Sequence, residues 1–159
     1  MTRINSGINP QDLTDQHLLA ESREIVRVPN AVIKAYNKNN SFLKNKKRPL
    51  KYTLGTGHVL YFYDNIKHLH KRFNSLCAEL KHRKYNITID DDSFIKFRDE
   101  VNLRLCFYRD NVDEKYAANI VKDRIIERVI NSKKINTINK IPIDINTYTK
   151  NLYKKYENK

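Results

Sequence analysis

The sequence predicts an all-α protein, one compact domain of three main helices, and three patterns carry that expectation. Apolar residues from Val59 to Leu80 advance in steps of three and four without a miss. A segment near the N-terminus sorts apolar and charged residues onto opposite sides, and another, Val112 to Ile130, is apolar around much of its circumference. At 159 residues the chain suits a single core and is too short for two domains of ordinary size.

The first helix is expected to begin near NPQDLTDQHLL, where Asp12 or Thr14 can cap free backbone N–H groups, and to run to about Tyr36. On a helical wheel Leu18, Ile25, Val28 and Val32 share one side, while Gln16, Arg23 and Arg27 lie nearly opposite. His17 and Glu24 fall between these faces. Pro29 removes one backbone hydrogen bond and should kink or briefly interrupt the helix. The polar, basic stretch NKNNSFLKNKKRPLKYTLGTG, punctuated by Pro49, Gly55 and Gly57, reads as an exposed connection.

Next comes the Val59–Leu80 stripe (Val59, Phe62, Ile66, Leu69, Phe73, Leu76, Leu80), read as one scaffold helix. YNITIDDDSF suggests a turn or short extended piece with an acidic patch, followed by a less regular stretch to about Arg109. The third helix should be wedged between the other two, with Arg124 and Arg128 emerging one turn apart. From about residue 132 the chain is a basic tail in which Tyr148, Tyr153 and Tyr156 mix with lysines and no strong period shows.

The chain carries 31 Lys and Arg against 18 Asp and Glu, a formal net charge of +13. A polyanion is therefore the natural partner, nucleic acid first and an anionic membrane surface second. The N-terminus lacks an apolar stretch and no segment approaches a membrane span, so the expectation is a soluble protein, cytoplasmic or intracellular in a host cell, of viral or bacterial origin, and not secreted. A monomer is expected. Cys77 and Cys106 match no metal or redox spacing and read as buried or free thiols. His68 and His70, two apart on a helix, point to different faces, which argues against a metal. The LGTGH turn lacks the ending of a phosphate-binding loop, and no Ser–His–Asp or Cys–His set stands out.

Some residues invite chemistry. Loss of Met1 would make Thr2 the first residue, with a free α-amine of reference pKa ~7.7–8.0, on the order of a tenth neutral at pH 7. Nearby Arg3, Arg23 or Arg27 would raise that fraction. The plain alternative is a frayed terminus. Glu24, between Arg23 and Arg27, is either a surface ion-pair partner or a carboxylate poised beside a basic face. Arg124 and Arg128 are either solvated charges or phosphate contacts.

The opening MTRIN, the helix DQHLLAESREIVRV, and the later LGTGHVLYFYD followed by LHKR resemble the phage pyrimidine-dimer DNA glycosylases, called endonuclease V in the ultraviolet-repair sense. The resemblance implies a compact three-helix fold and a glycosylase with abasic-site lyase activity that needs no cofactor. It assigns the nucleophile to the α-amine of Thr2, which attacks the sugar carbon, forms an imine and nicks the strand by β-elimination. It makes Glu24 the essential carboxylate, stabilising the positive sugar-like transition state. Arg3, Gln16, His17, Arg23 and Arg27 match positions that hold kinked duplex DNA, and IVKDRIIERV places Arg124 and Arg128 among the DNA contacts. Damaged double-stranded DNA, with cyclobutane pyrimidine dimers foremost, is the implied substrate. Ser22 stands where a tyrosine is expected, the chain has no tryptophan, and its tail is sparser in aromatics. Two alternatives stay open: a glycosylase for another modified base, and a DNA-binding protein that keeps the fold without the activity.

Overall fold

The computed structural model describes residues 2–38, 47–102 and 106–157. Met1 and part of the connection between the first two expected helices, residues 39–46, lie outside them.

The chain is predominantly helical, with one two-stranded hairpin near its C-terminal end. After an irregular N-terminal segment and a single 3₁₀ turn, Pro10–Asp12, helix α1 spans Asp15–Glu24. Of the two caps considered, Thr14 serves: its Oγ1 accepts the His17 N–H. Helix α2 spans Arg27–Asn37, so the expected single helix is two segments. The cause is Pro29, which has no N–H to give the Ile25 carbonyl and whose ring crowds it. That carbonyl instead accepts from Val28 at 3.3 Å, and the ladder breaks at Ile25–Val26. Leu18, Ile25, Val28 and Val32 are fully buried and Gln16, Arg23 and Arg27 exposed, as the wheel predicts.

The long stripe is also two helices, α3 (His58–Tyr61) and α4 (Ile66–His82). Between them Asn65 donates from Nδ2 to the Tyr61 carbonyl and accepts the Asn111 N–H on Oδ1. The first N–H groups of α4 go to distant carbonyls, Ile66 to Phe107 and His68 to Arg109. Apolar spacing does not register such competition for the backbone. Phe62, Ile66, Leu69, Phe73, Leu76 and Leu80 still share the core. The irregular stretch contains α5 (Asp92–Lys96), which runs into a π-helical turn, Phe97–Val101, that buries Phe94, Phe97 and Val101.

Helix α6 spans Glu114–Ile130, with the Asp113 carboxylate capping the Tyr116 N–H. The N-terminal segment crosses it at Gly7, where φ is +81° and an added Cβ would meet the Glu114 carbonyl at 2.0 Å. Only glycine allows that approach. The tail is more regular than its sequence suggests. Strands β1 (Thr137–Ile138) and β2 (Ile141–Pro142) form a hairpin, and α7 (Ile145–Tyr156) packs on α6. Tyr148 and Leu152 are buried, and the Tyr148 hydroxyl donates to the Asp12 carbonyl at 2.7 Å. Tyr156 and Lys155 both reach the Asp12 carboxylate. Among the described residues no helix is long and apolar enough to cross a membrane.

Two buried arginines tie these layers to the N-terminal region. Arg83, which caps the C-terminus of α4, binds Asp15, Glu79 and the carbonyls of Pro10, Gln11 and Leu13. Arg72, about three turns earlier on α4, binds Glu21 and the Ile8 carbonyl. Both satisfy buried charge with charge-assisted hydrogen bonds, which desolvation demands.

Candidate active site and nucleic-acid interface

The segment Arg3–Ser6 is held on every side. The Ile4 N–H donates to Nε2 of His58, whose Nδ1–H in turn donates to the Thr53 carbonyl at 2.8 Å. Burial pushes the His58 imidazole down to about 4, consistent with a neutral ring that can accept on Nε2. The Ile4 carbonyl accepts from the Tyr52 hydroxyl at 2.9 Å and from Arg124 at 3.0 Å. Arg124 also donates to the Asn5 side-chain oxygen at 2.8 Å. The Ser6 hydroxyl meets Nε2 of His68, and His68 Nδ1 meets Asp110. With its backbone so occupied, the segment cannot fray up to residue 3.

Two glutamates of α1 face this segment. Glu21 is wholly buried and saturated: its oxygens accept the Asn5 N–H at 2.9 Å, the Asn5 side-chain amide at 2.7 Å, and Arg72 at 2.5 and 3.1 Å. Burial alone would raise its carboxyl, but Arg72 and Asn5 hold it below the usual carboxylate range. Glu24 is half-buried, and its Oε2 accepts the Arg3 N–H at 2.7 Å. Among the described residues it makes no ion pair with Arg23 or Arg27. Its carboxylate lies against the Thr2–Arg3 peptide, one residue from the candidate nucleophile.

Cations gather around that peptide. Burial, then the charges of Arg3 and Arg124, press the Arg128 guanidinium below its ordinary value. Burial, then Arg128, pushes His17 down to about 4, and its Nδ1 meets the Thr14 hydroxyl. Arg3 Nε is buried with no hydrogen-bond partner among the described residues. Such a donor is costly unless something fills the position. Thr2, Arg3, His17, Glu24, Arg124 and Arg128 thus come together, although α6 is about a hundred residues from the first two. Arg23 and Arg27 stand exposed on the outer side of α1 and α2.

Gln16 is engaged differently. Its amide nitrogen donates to the Ile135 carbonyl at 3.1 Å and its oxygen accepts the Thr137 N–H at 3.1 Å. A groove of about 930 Å³ between Gly7–Gln11, α4 and Tyr156 includes neither Thr2 nor Glu24. Among the described residues no group of three or more His, Cys, Asp or Glu side chains gathers as a metal site. His70 is taken by Tyr108 and Asp91.

A clamped N-terminus, an under-occupied carboxylate beside it and a rim of arginines form a distinctive arrangement, and the sequence profile described as pyrimidine dimer DNA glycosylase matches residues 1–93. The chain belongs to the pyrimidine dimer DNA glycosylase family. The matched region holds α1 to α4, and with them Thr2, Glu24, His58 and Arg72. It ends within α5, so Arg124 and Arg128, which border the candidate site of this glycosylase, lie beyond the match. DNA is the substrate that the family implies.

Sequence reasoning did not single out Asn5, Glu21, Tyr52, His58 or Arg72. Glu21 alone left a signal, one turn before Glu24 on the same helix. The others act through contacts between segments far apart in the chain.

Proposed function

We propose that the protein releases a damaged base from duplex DNA and then nicks the strand, with the Thr2 α-amine as nucleophile, Glu24 as its carboxylate partner, and cyclobutane pyrimidine dimers as substrate. The observation that carries this reading is the 2.7 Å hydrogen bond from the Arg3 N–H to Glu24. It keeps the carboxylate beside the residue whose amine becomes free once Met1 is lost. Arg3, Arg124 and Arg128 disfavour the ammonium form of that amine, while Glu24 opposes them with a single charge.

Attack by the neutral amine on C1′ forms an N–C1′ bond as the glycosidic bond breaks. The electron pair leaves with the base, which takes up a proton. Positive charge develops on the sugar, and Glu24 stabilises it where it forms. The nitrogen then gives up one of its two protons, its lone pair expels O4′, which takes up a proton as the ring opens, and the product is an imine that keeps the second proton. Removal of a C2′ proton then expels the 3′ phosphate by β-elimination. The unpartnered Arg3 Nε, together with Arg23, Arg27, Arg124, Arg128 and His17, supplies donors for phosphates along the kinked strand. Extruding a base costs least at a lesion, so damage aids its own selection.

Borohydride trapping tests the reading. Wild-type protein with ultraviolet-irradiated or abasic duplex should yield a covalent adduct that maps to Thr2. An adduct on a lysine, or undiminished nicking by N-terminally acetylated protein, refutes the mechanism.

A further inference from the structure

The turn that follows α6 combines rigidity with exposure. Ser132 Oγ donates to the Lys134 carbonyl at 2.9 Å and accepts the Lys134 N–H at 3.2 Å. The Ile135 carbonyl is taken by Gln16 at 3.1 Å. Thr137, Asn139 and Lys140 all donate to the Asp15 carboxylate, which Arg83 holds from behind. Those bonds keep the Asp15 carboxyl below its usual range despite burial. The backbone around Ile135 is therefore pinned to the start of α1, yet the residue itself is 73% exposed. Ile130, the last residue of α6, is 58% exposed. Lys133 and Lys134 lie between them, both exposed.

The location matters as much as the exposure. The turn leaves the helix that carries Arg124 and Arg128 and docks on Gln16, next to His17. It thus borders the cationic site on the side of α1. A pinned, solvent-facing branched apolar residue flanked by two lysines suits a partner with phosphates outside and a stackable apolar interior. Duplex DNA has both, and apolar wedges between base steps are a general way to unstack and kink it.

We propose that Ile135 is a wedge that enters the stack beside the lesion while Lys133 and Lys134 hold the flanking phosphates, and that Gln16 acts as a positioning residue that aims the turn. This rests on the reading above only in that the DNA lies across α1 and α6.

The test uses the full chain and a duplex with one thymine dimer and a neighbouring 2-aminopurine, whose fluorescence rises on unstacking. Ile135→Ser should keep the wild-type melting temperature, because the residue is exposed. It should suppress the fluorescence rise at saturating protein and reduce the preference for damaged over undamaged duplex by about tenfold. Ile135→Leu should restore both. Gln16→Ala should lose part of the fluorescence rise. Replacing Lys133 and Lys134 by Ala should lower the slope of log affinity against log salt by about 0.9 each and leave the saturated fluorescence intact. Wild-type fluorescence and discrimination in Ile135→Ser overturn the wedge. So does a concentration-dependent dimer of the wild type that Ile135→Ser abolishes while fluorescence stays unchanged, since the residue would then bind a second copy of the chain. Failure of borohydride trapping with a normal fluorescence rise would sink the Thr2 chemistry and leave the wedge standing.

Discussion

Glu21 and Glu24 sit one turn apart on α1 and meet opposite surroundings. Around Glu21 every lone-pair direction is claimed, by Arg72 and by both amides of Asn5. Around Glu24 a single backbone N–H is bound, and the nearby charges, Arg3, Arg124 and Arg128, crowd one another instead of pairing. A saturated carboxylate has nothing left to offer a reacting sugar. An under-occupied one among crowded cations does, so the same residue type supports the fold at one position and, in the mechanism proposed above, the chemistry at the next.

The largest expected effect lies on the saturated side. Arg72→Ala strands the buried Glu21 charge and should lower unfolding free energy by about 3–5 kcal/mol, read from denaturant melts. A loss under 1 kcal/mol would erase the contrast. Glu24→Gln should instead leave the melt almost untouched and slow base release by about 10²–10³-fold in single-turnover assays, while duplex binding persists. If that variant melts early and cleaves normally, the roles of the two glutamates are reversed.

A smaller effect follows from His58, which supports the segment between them. Its folded pKa of about 4 lies below the ordinary 6.5, so protons bind the unfolded chain first. Stability from this group is complete above about pH 6.5 and falls away as pH drops towards 4, by about 1–3 kcal/mol. His17, pushed down to about 4 as well, adds to the loss in the same window. Stability measured against pH should fall less steeply there in His58→Gln, whose side-chain amide can still accept the Ile4 N–H, with the remaining slope coming from His17. The smallest effect concerns the rim: Arg128→Ala should reduce the salt slope of duplex binding by about 0.9 and, by easing the pressure on the Thr2 ammonium, slow base release only modestly at neutral pH once DNA is saturated.

Periodicity was enough for the buried and exposed faces of α1 and α2 and for the end of α6 at Ile130, because burial of a helical face writes itself into spacing; it left the α1 cap between Asp12 and Thr14 and began α6 at Val112 rather than Glu114. It failed at Asn65, where a side-chain amide and carbonyls from Phe107 and Arg109 compete for the backbone of an apolar stripe that never lapses. It failed again in α7, where Tyr148, Leu152 and Tyr156 recur every four residues but tyrosines among lysines look polar. Thr2 and Glu24 were candidates on their own chemistry, and resemblance to a family lifted them above a frayed terminus and a surface ion pair. Composition cannot reveal an N–H from residue 3 reaching a carboxylate on residue 24.

The bonds from Tyr156 and Lys155 to Asp12 join positions 144 and 143 residues apart. Contacts that distant in sequence carry a high loop-closure cost and slow the search for the native topology. During synthesis Asp12 leaves the ribosome long before its partners exist, so its carboxylate must wait for α7 even though the 3₁₀ turn itself closes on local bonds. Helix α7 therefore acts as a completion signal: a nascent or truncated chain that lacks it leaves Asp12 without these partners, and the region leading to Thr2 acquires its last anchor only when the C-terminal helix arrives.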